Sequence, residues 1–244
     1  MIKVILHVAK AAIAAITALL FISCGFDGLK KVDGSGNVVK QNRPAQEEFT
    51  TVSASEGLEV IIEQATVRSI VVEADDNLQK HIKTEIKGGE LQISSDANIS
   101  STSTKRIIVT LPKIDEVSAS SSASVKSKNT LTGESMAFSV SSGANMEITI
   151  DAKNVNLESG SGAFMKANGK AEDLQAESSS GGTINAKGLT AQSAEAEASS
   201  GGTTSVNPVE ELSAKASSGG SVTYVNTPKQ LEMKKSSGGN VEQE

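Results

Sequence analysis

Few residues in this chain have the type and spacing to do chemistry. His81 is the only histidine beyond the first 24 residues, and Asp75–Asp76 stand close before it. An isolated imidazole can act as a base or a ligand, but a metal site needs three or four such groups. Paired acids in a loop can hold a cation, yet here they sit in a polar stretch where a solvated corner is the simpler expectation. Serine is so abundant that no Ser–His pair stands out. Asp96, Asp115, Asp151 and Asp173 share no common position in the repeat described below. Arg43, Arg68 and Arg106 are the only arginines, and all precede its regular part. A polysaccharide lyase or hydrolase would need clustered carboxylates beside a cation or a guanidinium. The sequence therefore predicts no catalytic set, no metal centre and no cofactor.

Cys24 is the one cysteine, so it cannot belong to a disulfide framework. It closes the stretch MIKVILHVAKAAIAAITALLFISC, in which Lys3 and Lys10 precede an apolar run and small Ser23 precedes the thiol. That is the layout of an export signal, and Ala11–Ile22 is too short to span a bilayer. The position of Cys24 resembles a bacterial lipoprotein signal, which implies cleavage before Cys24 and lipid on its sulfur. Phe21 stands where leucine is commonest in such signals. Residues 1–23 are thus expected to be signal peptide, and 24–48 a lipid-anchored tether with one short strand at 37–40. The expected location is the cell envelope, as an outer-membrane lipoprotein facing the periplasm or the exterior.

Composition narrows the partners and the core. The net charge is −6, which argues against nucleic acid. Aromatics make up 2% of the chain, so the core must be narrow and built from Ala, Val, Leu and Ile.

The elements that would position any site follow from a repeat. SSSGG (178–182) and SSGG (199–202, 217–220, 236–239) are its clear copies, with degenerate copies upstream. Taking Ser122, Gly143, Gly162, Gly181, Gly201, Gly219 and Gly238 as reference, the intervals are 21, 19, 19, 20, 18 and 19 residues. A period near 20 marks a solenoid. Apolar residues recur seven and five before the reference and three and five after it, as in Leu174, Ala176, Ile184 and Ala186 around Gly181. Period-2 alternation flanking a turn predicts two short strands per repeat, each with one face inward. Helical repeats are excluded by that spacing and by the glycine pairs. The prediction is an all-β, single-stranded parallel β-helix over 49–241, with degenerate coils in 49–112 and regular repeats in 113–241. Seven coils at the ~4.8 Å strand spacing would extend roughly 34 Å.

Gly143, Gly162, Gly181, Gly201, Gly219 and Gly238 are assigned as turn glycines, free to take positive φ. The serines are expected to bond to nearby backbone and to link hydroxyls along the stack. A phosphate cradle would need a helix and a lysine after the glycines, which no copy has. Gly57 extends the columns to Val52, Val60 and Ile62, and the 65 residues from Gly57 to Ser122 leave room for about three longer coils. Two readings compete over 75–89: a short helix capped by Asp76, or a strand turning through Gly88–Gly89 into Leu91–Ile93. Alternation and turn chemistry favour the hairpin. Lys235, at an inward position, suits a terminal coil.

DGSGNVV (33–39), FTTVSASEGLEVII (49–62), VEADDNLQKHIKTEIKGGELQIS (72–94), IIVTLPKIDEVSASSSASV (107–125) and the SSGG copies together resemble the bacterial head-GIN-domain family of putative autotransporter adhesins, common among Bacteroidetes lipoproteins. The resemblance implies a right-handed β-helix similar to pectin-lyase-like proteins, suggests adhesion, and carries no recognised catalytic set. Where family members often have Asp or Asn after the repeat glycines, this chain has Thr183, Thr203 and Ser221. The function expected is a non-catalytic envelope lipoprotein whose β-helix binds a surface glycan or protein. The alternatives are a polysaccharide lyase or hydrolase, and a periplasmic sensor or assembly factor.

Overall fold

From Glu116 onward the chain climbs one coil at a time, because each coil can bury its inward side chains only against its neighbours. The computed structural model describes residues 30–102 and 104–244, of which 31–244 form one unit. The proposed signal peptide and Cys24 lie outside the described residues. In chain order the strands are β1 (Lys31–Asp33), β2 (Val38–Arg43), β3 (Thr51–Ala54), β4 (Glu59–Gln64) and β5 (Ser69–Asp75). A 3-10 turn at Asp76–Leu78 leads into β6 (Ile82–Lys87), β7 (Glu90–Ser95), β8 (Asn98–Ser101) and β9 (Lys105–Leu111). The regular part holds β10 (Glu116–Ala119), β11 (Ser124–Ser127), β12 (Leu131–Val140), β13 (Asn145–Ser159), β14 (Phe164–Ser178), β15 (Thr183–Ala198) and β16 (Thr203–Ala216). It ends with β17 (Ser221–Tyr224), β18 (Gln230–Lys235) and β19 (Asn240–Gln243). The result is a β-solenoid, as the repeat predicts.

The columns counted in the sequence are the columns of the sheet. Val52, Val117, Phe138, Leu157, Ala176, Ala196, Ala214 and Met233 pair in register, one above another. All but Met233 are at most 1% exposed. Met233 and Leu231, in the final coil, are 48% and 38% exposed, and Lys235 there turns its ammonium onto the Val241 carbonyl at 2.6 Å. Thr204 falls in the inward column of Ile184 and Val222 and is fully buried. Its hydroxyl bonds to the Ser178 hydroxyl at 2.8 Å and donates to the Glu197 carbonyl at 2.9 Å, so this polar pair carries its own partners inside the core.

The two short strands expected per repeat run together as one bent strand of 14–16 residues in β13 to β16. These coils therefore break only at their Ser-Gly corners, whereas β11 and β12, and β17 and β18, are separated by a further break. At 179–182 the corner is a four-residue turn: Gly182 N–H donates to the Ser179 carbonyl at 2.8 Å, and both central residues, Ser180 and Gly181, have positive φ (50° and 73°). Positive φ at both centres makes it a type I′ turn. Serine holds the first centre at 142, 161, 180, 200, 218 and 237. The ladder across the corners is made by backbone rather than by the expected serine hydroxyls: Gly181 N–H donates to the Ser200 carbonyl at 3.2 Å, and the same bond recurs from coil to coil. At the earliest regular corner both centres are serine, Ser121 and Ser122, with φ of 48° and 62°. A Cβ in that region costs about 1–2 kcal/mol relative to glycine, partly offset by glycine's entropy in the unfolded chain. Ser122→Gly is expected to raise stability by about 0.5–1 kcal/mol, readable in a denaturant titration.

The N-terminal third departs from the expected succession of coils. β3 and β4 form one coil, and β10 and β11 stack on one side of it. The intervening chain returns to the opposite side, where β7 lies parallel to β3 and β9 parallel to β4. β5 runs antiparallel to β9, and β2 antiparallel to β5, closing that end. The chain then crosses back to start the climb. The hairpin at 82–95 forms as expected, with Gly88 and Gly89 at φ 59° and 84°. The competing helix survives only as the 3-10 turn at Asp76–Leu78.

The folded unit also begins before Phe49. Residues 31–33 pair with β8 and residues 38–43 with β5, so the short strand expected at 37–40 forms within β2 and this part of the expected tether belongs to the sheet. Polar composition concealed only that this strand joins the sheet, because β2 adds an edge strand whose side chains stay largely in water.

Candidate functional site

The DGSGN loop and Asp75–Asp76, far apart in sequence, meet at the closed end. Asp75 is fully buried rather than a solvated corner. It accepts from the Gly36 N–H at 2.9 Å, the Thr102 hydroxyl at 3.1 Å and the Thr104 N–H at 3.4 Å. A Cβ on Gly34 would lie 2.1 Å from the Asp75 carboxylate, so glycine there is what lets the loop close over it. Asp76 takes the Ser35 hydroxyl at 2.5 Å and the Asn37 amide at 2.9 Å, and these bonds hold its carboxyl below the usual carboxylate range. These acids are spent on joining two segments.

His81 is likewise occupied. Its Nδ1 lies 2.7 Å from Asp96, and the Lys83 ammonium is 2.8 Å from the same carboxylate. Lys83, then His81, hold Asp96 below the usual range. The trio ties the turn after the 3-10 segment to the end of β7, since Asp96 N–H also donates to the His81 carbonyl. Among the described residues, no group of three or more His, Cys, Asp or Glu could hold a metal ion.

The features that could meet a partner lie on the faces between corners. On one face, outward positions four and two before the reference flank a groove of about 580 Å³ running along the stack. One wall carries Ser139, Glu158, Glu177, Glu197, Lys215 and Lys234, one residue per coil. The other wall is the row of corner residues Ser141, Gly160, Ser179, Ser199, Ser217 and Ser236. Glu158, Glu177 and Glu197 share one offset, so this chain does have a carboxylate column. The aspartates taken alone gave no sign of it; counting glutamates by offset reveals it directly. Lys215 ends the column, with its ammonium 2.6 Å from both Glu195 and Glu197, which raise its pKa.

A second groove of about 610 Å³ runs alongside, lined by Asp173, Gln175, Ser193, Glu195, Glu211 and Glu232 among others. The face is thus acidic in its middle coils and carries lysines toward the last two. Such a strip can hold an extended partner by many weak polar contacts. Its Lys215 is clamped by two carboxylates.

Gly143, Gly162, Gly181, Gly201, Gly219 and Gly238 have φ of 69–77°. The second glycine of each pair meets a different demand, which the repeat spacing does not reveal. Space around Gly181 is open, whereas a Cβ on Gly182 would sit 2.4 Å from the Ser159 carbonyl oxygen. Gly202, Gly220 and Gly239 meet the coil before them in the same way.

Residues 48–228 match the family model described as "Putative auto-transporter adhesin, head GIN domain". No curated protein matches the chain. Among solved structures, a putative adhesin from Bacteroides fragilis superposes with a TM-score of 0.80 at 20% identity, over 87% of this chain and 100% of that one. A putative adhesin from Parabacteroides distasonis gives 0.70 at 18% identity, over 88% and 100%. A putative lipid binding protein from the same species gives 0.67 at 18%, again over 88% and 100%. At these identities the likeness establishes the fold.

Proposed function

The chain belongs to the head-GIN-domain family of putative autotransporter adhesins, and on that premise we propose that it is a non-catalytic binding protein of the cell envelope. In this reading Cys24 carries the lipid that anchors it to the outer membrane, and the β-solenoid presents its faces to a surface glycan or protein. The observation that carries the reading is the grooved face with its one-residue-per-coil column from Ser139 through Glu197 to Lys234. A parallel stack repeats any outward residue every ~4.8 Å, which suits recognition of something extended. The acids and the histidine that could have served a reaction are engaged in holding the closed end together.

The test is genetic and physical at once. Cells lacking the protein are expected to attach less to surfaces or to one another, and the full chain should restore attachment only with Cys24 intact. Attachment and envelope integrity unchanged by the deletion would contradict the reading.

A further inference from the structure

One outward column departs from its own pattern. Two residues after the reference, successive coils carry Ser124, Asn145, Phe164, Thr183, Thr203 and Ser221, so an aromatic ring stands in a row of small polar side chains. Phe164 is 40% exposed, whereas Phe49 and Phe138 are 1% exposed and Tyr224 is 7%. A single apolar residue on a surface needs no explanation by itself. What singles out this one is its surroundings. Lys126, Asn145, Glu147, Phe164 and Lys166 line a shallow recess of about 190 Å³. In it Glu147 lies 3.2 Å from the Lys166 ammonium and 3.6 Å from that of Lys126. The ring therefore stands beside a row of paired donors and acceptors, in a hollow the size of one small ring.

An aromatic face offers a flat, electron-rich surface to C–H groups, and orientation in such sites comes from a few placed polar groups. We propose that this recess binds one pyranose unit of a glycan, with the C–H face of the sugar on Phe164 and its hydroxyls shared among Glu147, Lys126, Lys166 and Asn145. Glu147 accepts from sugar hydroxyls; the lysines and the Asn145 amide donate to them. Two ammonium groups against one carboxylate leave the recess net positive, so a uronate is bound at least as well as a neutral hexose. The site lies apart from the grooved face, and naming a saccharide deepens the reading of the protein as an envelope-binding module, on which it rests.

The experiment is saturation-transfer NMR on the full chain with methyl β-D-glucopyranoside, methyl β-D-galactopyranoside and methyl β-D-glucuronide. Transfer to the C–H protons of at least one sugar is expected. Phe164→Tyr should keep the affinity within about twofold. Phe164→Leu, which keeps apolar bulk without the ring, and Phe164→Thr, which copies Thr183 in the next coil, should each weaken it at least tenfold. Thermal midpoints of the three variants close to that of the unaltered chain would exclude misfolding as the cause. No transfer to any of the three sugars would overturn the proposal, as would Phe164→Thr binding as well as the unaltered chain. If the chain binds none of these sugars while its deletion still impairs attachment, this site falls and the adhesive reading stands. If deletion is also silent, both fall.

Discussion

Replacing Gly182 with alanine is expected to unfold the solenoid at a markedly lower temperature than replacing its neighbour Gly181. At Gly181 the φ of 73° strains a Cβ, but no atom lies within 4 Å of where it would stand. The cost is the left-handed penalty alone, about 1–2 kcal/mol. At Gly182 the Cβ would lie 2.4 Å from the Ser159 carbonyl oxygen and 2.7 Å from the Gly160 nitrogen. Both are backbone, held by the ladder bonds Ser179 N–H to the Ser159 carbonyl at 2.9 Å and Gly160 N–H to the Val140 carbonyl at 3.0 Å. Relief requires stretching those bonds, so overpacking and weakened hydrogen bonds add to about 3–4 kcal/mol. In a domain of this length each kcal/mol moves the midpoint by about 2–4 °C. Gly182→Ala should therefore fall by roughly 10 °C, about twice the drop of Gly181→Ala. Equal shifts in the two variants would show that turn conformation, not coil-to-coil approach, dictates the second glycine. The earlier corners carry Ala123, Ala144 and Ala163 at the corresponding place, so the demand belongs to the later coils.

The second large effect concerns the closed end. Asp75→Ala would strip the Gly36 N–H and the Thr102 hydroxyl of a buried carboxylate acceptor. Hydrogen bonds to a charged group contribute about 1.5–3 kcal/mol each, and the Thr102 hydroxyl keeps only the Thr104 carbonyl, at 2.8 Å. A destabilisation of about 3–4 kcal/mol is expected. It should also be local. Hydrogen exchange is predicted to accelerate most in residues 31–43 and 98–102, while β13 to β16 keep their protection, since solenoid coils depend chiefly on their immediate neighbours. Acceleration spread evenly over all coils would contradict that division.

How far the sequence discloses the fold depends on which kind of contact is in question. The regular coils are legible because every coil faces two near-copies of itself. A residue such as Leu157 meets Phe138 and Ala176 at the same offset, and counting offsets recovers the register. The closed end hides for the opposite reason. Ser69–Val72 alternates just as a climbing strand does, yet β5 runs antiparallel to β9. Alternation tells which side chains face inward and says nothing of strand direction. The pairing of DGSGN with Asp75–Asp76 was illegible as well, because neither segment shows its need for the other until a buried carboxylate requires donors.

The candidate face was half legible. Its outward positions follow from the register, and the column of Glu158, Glu177 and Glu197 was there to be counted. The groove itself, and the recess beside Phe164, arise from how outward side chains on adjacent coils lean, which no offset encodes.

In the proposed reading the faces of this solenoid bind envelope material without transforming it, and the corners serve only to build the faces. The most direct measurement passes solubilised envelope glycans and proteins over the immobilised full chain, then compares the size distribution of what is retained and eluted with the input. Retention with unchanged sizes is predicted for the unaltered chain. It should weaken sharply in Glu158→Gln/Glu177→Gln/Glu197→Gln or in Phe164→Thr, and persist in the corner variant Ser122→Gly. Shortened glycan chains in the eluate, or retention indifferent to every face variant, would contradict it.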